Sequence, residues 1–77
     1  MSSVLVLGPG CQKCQTLYER VTQAAEEMGL ACEIAKVTDI EAIVGFGVLS
    51  TPALVVDGTV KMSGRVPTVA QLKEMLK

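Results

Sequence analysis

The run Val4-Leu5-Val6-Leu7 carries no polar side chain, and this constrains the fold more than any other feature of the sequence. A strand with one solvated face alternates apolar and polar residues. An unbroken apolar run fits a strand buried on both faces, as in a sheet covered by helices. Gly8-Pro9-Gly10 breaks the run. Beyond it Cys14, Leu17, Tyr18, Val21, Ala24, Ala25 and Met28 recur at steps of three and four, which predicts a helix from Cys11 to Met28. Gly29 is placed to stop it. Residues 31–37 set Glu33 and Lys36 inside an apolar run, a pattern suited to an edge strand. Two strands joined in this way form a right-handed parallel crossover.

The second half carries its own punctuation. Thr38 and Glu41 match a capping box opening a short helix over residues 39–45, with Asp39 as the alternative cap. Asp57-Gly58 stands between Ala53-Leu-Val-Val56 and Thr59-Val-Lys-Met62, a strong signal for a two-residue type I′ hairpin. After the loop Ser63-Gly64-Arg65-Val66-Pro67, Thr68 and Gln71 form another capping box ahead of Val69, Leu72, Met75 and Leu76. The predicted order is β-α-β-α-β-β-α. This is an α/β fold with a four-stranded mixed sheet and helices on both faces, in a single domain over residues 1–77.

Composition removes whole classes of function. With 49% apolar residues and a net charge of −1, the chain is not expected to be disordered. Its apolar runs are far short of the ~20 residues a membrane span needs. Seven basic residues face eight acidic ones, without a basic block and with one Phe and one Tyr, so neither nucleic acid nor membrane is an expected partner. There is no histidine, which excludes a Ser-His-Asp triad, a Cys-His protease pair and a Cys/His zinc finger. Cysteine chemistry remains. The three cysteines are an odd number, and no basic segment precedes the short Val4–Leu7 run as in a secretory signal. A cytoplasmic location is the expectation, where Cys-x-x-Cys reads as redox or metal chemistry. Nothing in the sequence asks for more than a monomer.

The pair Cys11 and Cys14 sits where the first strand hands over to the first helix. A helix N-terminus offers free N–H groups and a partial positive charge, which together favour a thiolate. Spacing of i, i+3 places the two side chains on one helix face, within reach of a disulfide. Cys11 is expected at the exposed tip and Cys14 in line with the buried stripe. That asymmetry makes Cys11 the attacking thiol and Cys14 the one that resolves the mixed disulfide. If the strand after Thr51-Pro52 runs antiparallel to the first strand, Thr51, Pro52 and Gly64 converge on the thiols as substrate contacts. Lys13 and Arg65 are then candidate modulating charges: Lys13 either favours the Cys11 thiolate or is a solvated helix residue, and Arg65 either steers an anionic partner or is simply a loop charge. The scheme requires no bound cofactor beyond the Cys11–Cys14 disulfide itself.

Other residues have plainer readings. Cys32 is expected to be a small buried hydrophobe at the far end of the sheet. Tyr18, Phe46, Met28, Met62 and Met75 read as core, and Gly8, Gly10 and Gly64 as turn residues. The alternative function is a soft-metal or metalloid carrier using the same two thiols. Small metal-carrier domains with this motif run β-α-β-β-α-β and end in a strand, unlike this chain. A structural zinc site fails on ligand count, because Ala35 stands where a fourth ligand would be needed.

Cys-x-x-Cys after a short apolar strand, followed by Gly47-Val-Leu-Ser-Thr51-Pro52-Ala-Leu-Val-Val-Asp57-Gly58, resembles the thioredoxin superfamily. More narrowly, the chain is similar to the small, glutaredoxin-sized redox-active disulfide proteins of bacteria and archaea. The resemblance spans essentially the whole chain. It implies a thiol–disulfide oxidoreductase with Cys11 as nucleophile and Cys14 as resolving thiol. It also implies a cis-proline at Pro52 whose preceding backbone pairs with a substrate strand. The implied partners are disulfide-containing proteins and an upstream reductase of the thioredoxin-reductase kind. The chain departs from the thioredoxin pattern at Gly10, where an aromatic residue is usual, and at Gln12-Lys13, where Gly-Pro is usual. The buried acid of thioredoxin's strand has no counterpart in Val4–Leu7. The acid with which glutaredoxins clamp glutathione is missing from Thr68-Val69-Ala70.

Overall fold

Pairing along the backbone extends the first strand beyond its apolar run. In the computed structural model, which describes residues 2–77, β1 covers Ser2–Leu7. Ser2 and Ser3 join it because their backbones lie in parallel register with Cys32 and Glu33 of β2, Cys32–Val37. The remaining elements are α1 (Gln12–Met28), α2 (Ile40–Gly45), β3 (Ala53–Val56), β4 (Thr59–Ser63) and α3 (Val69–Met75). The sheet order is β2-β1-β3-β4, with β1 parallel to β2, and β1–β3 and β3–β4 antiparallel. The predicted mixed α/β architecture is therefore observed.

Alternation along β1 feeds two cores. Val4 and Val6 face α1 and α3, packing with Leu17, Val21 and Leu72. Leu7 faces the other way, packing with Ile43 of α2, Val48 and Val55. Both faces of the inner strands are thus covered, which is why Val4–Leu7 of β1 and all of β3 carry no polar side chain. Tyr18, Met28, Cys32 and Met75 pack half-buried against the first core, Met62 lies within it, and Phe46 packs half-buried against the second.

Local chemistry sets the element ends. Gly29 takes a left-handed φ of 66°, and its N–H and that of Leu30 turn back onto Glu26 and Ala25 at 3.1 and 3.0 Å. Asp57 and Gly58 both have positive φ (50° and 83°), as a type I′ hairpin requires. Asp57 Oδ1 also accepts the Ser3 N–H at 2.9 Å, tying the hairpin to β1. Leu54 opposes Met62 and Val55 opposes Val60, so Lys61 is an extra residue forming a bulge on the exposed edge. At α3 the capping box is complete: Thr68 Oγ1 accepts from Gln71 N–H, and Gln71 Oε1 accepts from Thr68 N–H. At α2 the capping box expected from Thr38 and Glu41 is absent. Asp39 is the cap, its carboxylate accepting the Glu41 N–H at 3.3 Å. The shorter Asx geometry satisfies the helix start, and Thr38 is left on the α1 side of the sheet, lining a cavity.

Candidate active site

The handover from β1 to α1 places Cys11 at the N-cap rather than inside the helix. Its backbone is extended (φ −71°, ψ 168°), and its sulfur accepts the Cys14 N–H at 3.4 Å. Its carbonyl accepts the Gln15 N–H at 3.1 Å. The sulfur stands where Ser, Thr or Asp usually satisfies a free donor, so the helix start itself solvates the Cys11 thiolate. Cys11 is exposed, while Cys14, one turn on, retains 5% of its accessible surface. All three cysteines are thiols in this structure.

The two thiols are driven in opposite directions. Cys11 is held below the ordinary thiol range, first by the hydrogen bond from the Cys14 thiol and then by the Cys14 backbone N–H; the Lys13 backbone N–H adds to these. Cys14 is pushed up, first by burial and then by the hydrogen bond it gives to Cys11. The pair therefore shares one proton unequally, leaving the exposed sulfur the better nucleophile.

Gly8 has a role that the turn reading missed. A Cβ on Gly8 would overlap Cys14 Sγ and stand 3.0 Å from Cys14 Cβ and 4.0 Å from Pro52 Cα. The residue is glycine because the buried thiol packs directly on its Cα, not because the backbone needs positive φ. The Gly8 N–H bonds Val37 O at 2.9 Å, which fixes this end of β1 against β2.

Chain segments distant in sequence meet here. Leu7 at the end of β1 pairs with Ala53 at the start of β3, so Pro52 follows on beside Gly8 and Cys14. Pro52 is fully buried, and the Thr51–Pro52 peptide is cis. Ala53 pairs in turn with Ser63, and the Gly64 N–H donates to Pro52 O at 2.8 Å. Thr51, Gly64, Arg65 and Lys13 are all exposed around this end. Neither Lys13 nor Arg65 forms an ion pair among the described residues. Leu49, three residues before Pro52, is 98% exposed, an apolar side chain that sequence reasoning passed over. Cys32 lies apart from this group: it pairs with Ser2 at the opposite end of β1 and packs against the α1–α3 core. Among the described residues, no group of three or more metal-ligating side chains comes together, and no helix is long and apolar enough to cross a membrane.

An N-capping thiol held toward its anion, with a second thiol buried one turn behind it, can exchange with a disulfide and close on itself. The comparisons agree with that chemistry. A family model described as thioredoxin domain matches residues 2–77. The thioredoxin of Methanocaldococcus jannaschii is 40% identical over 77 residues, covering all of this chain and 88% of that protein. The thioredoxin of Methanothermobacter thermautotrophicus is 33% identical over 76 residues, covering 99% of each. By both the length matched and the identity, the chain belongs to the thioredoxin family of thiol–disulfide oxidoreductases.

Proposed function

We propose that this protein acts as a single cytoplasmic thioredoxin-like domain, monomeric and without a bound cofactor, that reduces disulfides in protein substrates. The Cys11 thiolate attacks one sulfur of the substrate disulfide, and the other leaves as a thiolate. Cys14 then attacks Cys11 Sγ, the mixed disulfide breaks, and the second substrate sulfur leaves. Two electrons pass to the substrate, and the Cys11–Cys14 disulfide is restored to the dithiol by an upstream reductase of the thioredoxin-reductase kind. Thr51, Pro52 and Gly64 line the substrate backbone, with Lys13 and Arg65 modulating the approach. The observation that carries this reading is the unequal pair: an exposed N-capping Cys11 that accepts from a buried Cys14.

The test is a redox titration in defined dithiol buffers, read by the mass shift of thiol alkylation after metal content has been checked. A reversible two-electron transition confined to Cys11 and Cys14 is expected. Its potential should fall in or just below the range of about −120 to −270 mV spanned by known oxidoreductases. Cys14→Ser should trap covalent complexes with substrates, and Cys11→Ser should abolish turnover. Full turnover by Cys11→Ser would end the proposal.

A further inference from the structure

The buried thiol has a neighbour that neither the motif nor the family resemblance points to. A cavity of about 140 Å³ opens beside Cys14, lined by Val6, Gly8, Gly10, Gln15, Lys36 and Thr38. Strand alternation accounts for its walls. Val6 and Gly8 lie on the α1 side of β1, and Lys36 is in register with Val6, with Thr38 two residues beyond it. Gly8 supplies no side chain to fill the space, so the thiol of Cys14 and the polar ends of β2 share it. The volume is enough for several water molecules, and Thr38, Gln15 and Lys36 offer them polar partners.

Lys36 is the one charged residue on that wall. Its ammonium lies 4.5 Å from the centroid of the Tyr18 ring. Tyr18 is one helical turn after Cys14, on the same face of α1. The cation is thus held beside the thiol's own stripe and has no carboxylate partner among the described residues. Among the described residues, the charged and titratable groups about Cys14 are Cys11 and Tyr18 on α1, and Lys36, which lines the same cavity from β2. β1 presents Val6 and Gly8, and the turn into β3 presents Pro52, none of which titrates.

We propose that the Lys36 ammonium stabilises the Cys14 thiolate in the step that resolves the mixed disulfide, acting across the cavity that Thr38 and Gln15 also line. This rests on the dithiol reading above and deepens it. Once Cys11 is bonded to a substrate sulfur, it no longer carries a negative charge. Cys14 then has to ionise in a site from which it is largely desolvated. Its proton passes to water in the cavity. The Cys14 thiolate attacks Cys11 Sγ, the new S–S bond forms, and the electron pair of the broken bond leaves on the substrate sulfur, which takes a proton from solvent. Lys36 exchanges no proton in this step. It is a positioning charge that acts on Cys14, not a group that gives or takes the proton.

The test uses limiting 5,5′-dithiobis(2-nitrobenzoate) with the reduced full-length protein. The first thionitrobenzoate is released on attack by Cys11, in a concentration-dependent phase. The second is released when Cys14 resolves the adduct, in a concentration-independent phase whose pH profile reports ionisation of Cys14. An opposite charge near a thiol shifts its ionisation by roughly one to three pH units, and an exposed lysine acts at the low end. Lys36→Gln is therefore expected to slow the second phase about tenfold at neutral pH and to move its pH midpoint up by about one unit. Lys36→Arg, which keeps the charge, should stay near wild type. A Lys36→Gln profile with the wild-type midpoint would overturn the proposal. So would a Lys36→Arg variant as slow as Lys36→Gln, since contact with Tyr18 rather than charge would then be responsible. If the wild-type protein gives only one phase, or the second phase survives Cys14→Ser, the dithiol reading itself fails and this proposal with it.

Discussion

Gly8→Ala adds one methyl group at the point where the buried thiol rests on β1. The new Cβ would overlap Cys14 Sγ and lie 3.0 Å from Cys14 Cβ. Rotating Cys14 about χ1 moves the sulfur but leaves its Cβ in place, so side-chain adjustment alone cannot relieve the contact. The backbone must move, and it is held on both sides. Gly8 N–H is bonded to Val37 O at 2.9 Å, and the first turn of α1 is closed by Gln15 N–H on Cys11 O at 3.1 Å. Overpacking of such a site costs about 1–3 kcal/mol, offset by about 0.4–1 kcal/mol from restricting the unfolded chain. The expected net loss is about 1–2 kcal/mol, or about 4–16 °C in Tm for a domain of this size.

Gly45→Ala provides the matched control. Gly45 is the last residue of α2, with nothing within 4 Å of an added Cβ, and its φ is not positive. The same covalent change there should raise stability by about 0.5–1 kcal/mol. The assay is thermal unfolding of both variants beside wild type in excess dithiothreitol, so that all thiols stay reduced. The resolving phase is measured in parallel, and displacement of Cys14 should slow it about ten- to hundred-fold in Gly8→Ala. If Gly8→Ala melts with wild type and resolves at the wild-type rate, the close packing of Cys14 on Gly8 is refuted.

Cys14→Ala removes the largest influence holding Cys11 low, so the Cys11 ionisation should move up toward the ordinary thiol range. Alkylation of wild-type Cys11 by iodoacetamide falls as pH drops through its lowered pKa; in Cys14→Ala that fall should occur at higher pH, and coincident profiles would contradict the hydrogen-bond account. Asp39→Ala should destabilise the fold by about 0.5–1 kcal/mol, while Thr38→Ala should cost less, because Asp39 is the α2 cap. Urea unfolding ranks the two, and a larger loss for Thr38→Ala would restore the capping box expected from the sequence. Thr68→Ala removes the Oγ1 that accepts the Gln71 N–H at α3, while the backbone N–H of residue 68 keeps its bond to Gln71 Oε1; it should cost about 1 kcal/mol, read in the same assay.

The elements were legible where local chemistry and tertiary packing agree. Asp57-Gly58 permits positive φ at both turn positions, and Thr68 with Gln71 specifies a helix start by side-chain geometry alone. The apolar β1 run announced a strand covered on both faces, and its core residues follow from alternation. At α2 two caps competed within one residue, and periodicity does not rank Thr38 against Asp39. The choice fell to which side chain could reach the Glu41 N–H while the other turned toward the cavity. Cys11 and Cys14 were legible because their spacing and place at a strand–helix junction carry the chemistry. Gly8 and Lys36 were not, since each matters through what packs against it from another element. A signal for both existed in the pattern: a glycine directly continuing the alternation of a buried strand, and a lysine in phase with Ile34.

The departure at the buried acid has a physical consequence that bears on Lys36. A carboxylate beside a buried thiol accepts its proton but then stands next to a newly formed anion, and like charges in a desolvated site oppose each other. Val4-Leu5-Val6-Leu7 offers no carboxylate, and none of the acidic residues lines the Cys14 cavity. A lysine cannot take the proton, yet it favours the thiolate that remains, so water can serve as acceptor. The two arrangements predict different pH behaviour. With a carboxylate base, the resolving rate follows ionisation of the acid. With a cation across a wet cavity, it follows ionisation of the thiol and weakens with salt, because the charge at Lys36 is exposed to screening. The shift of the midpoint in Lys36→Gln, measured at low and high ionic strength, therefore separates a cation acting on Cys14 from a proton acceptor acting in its place.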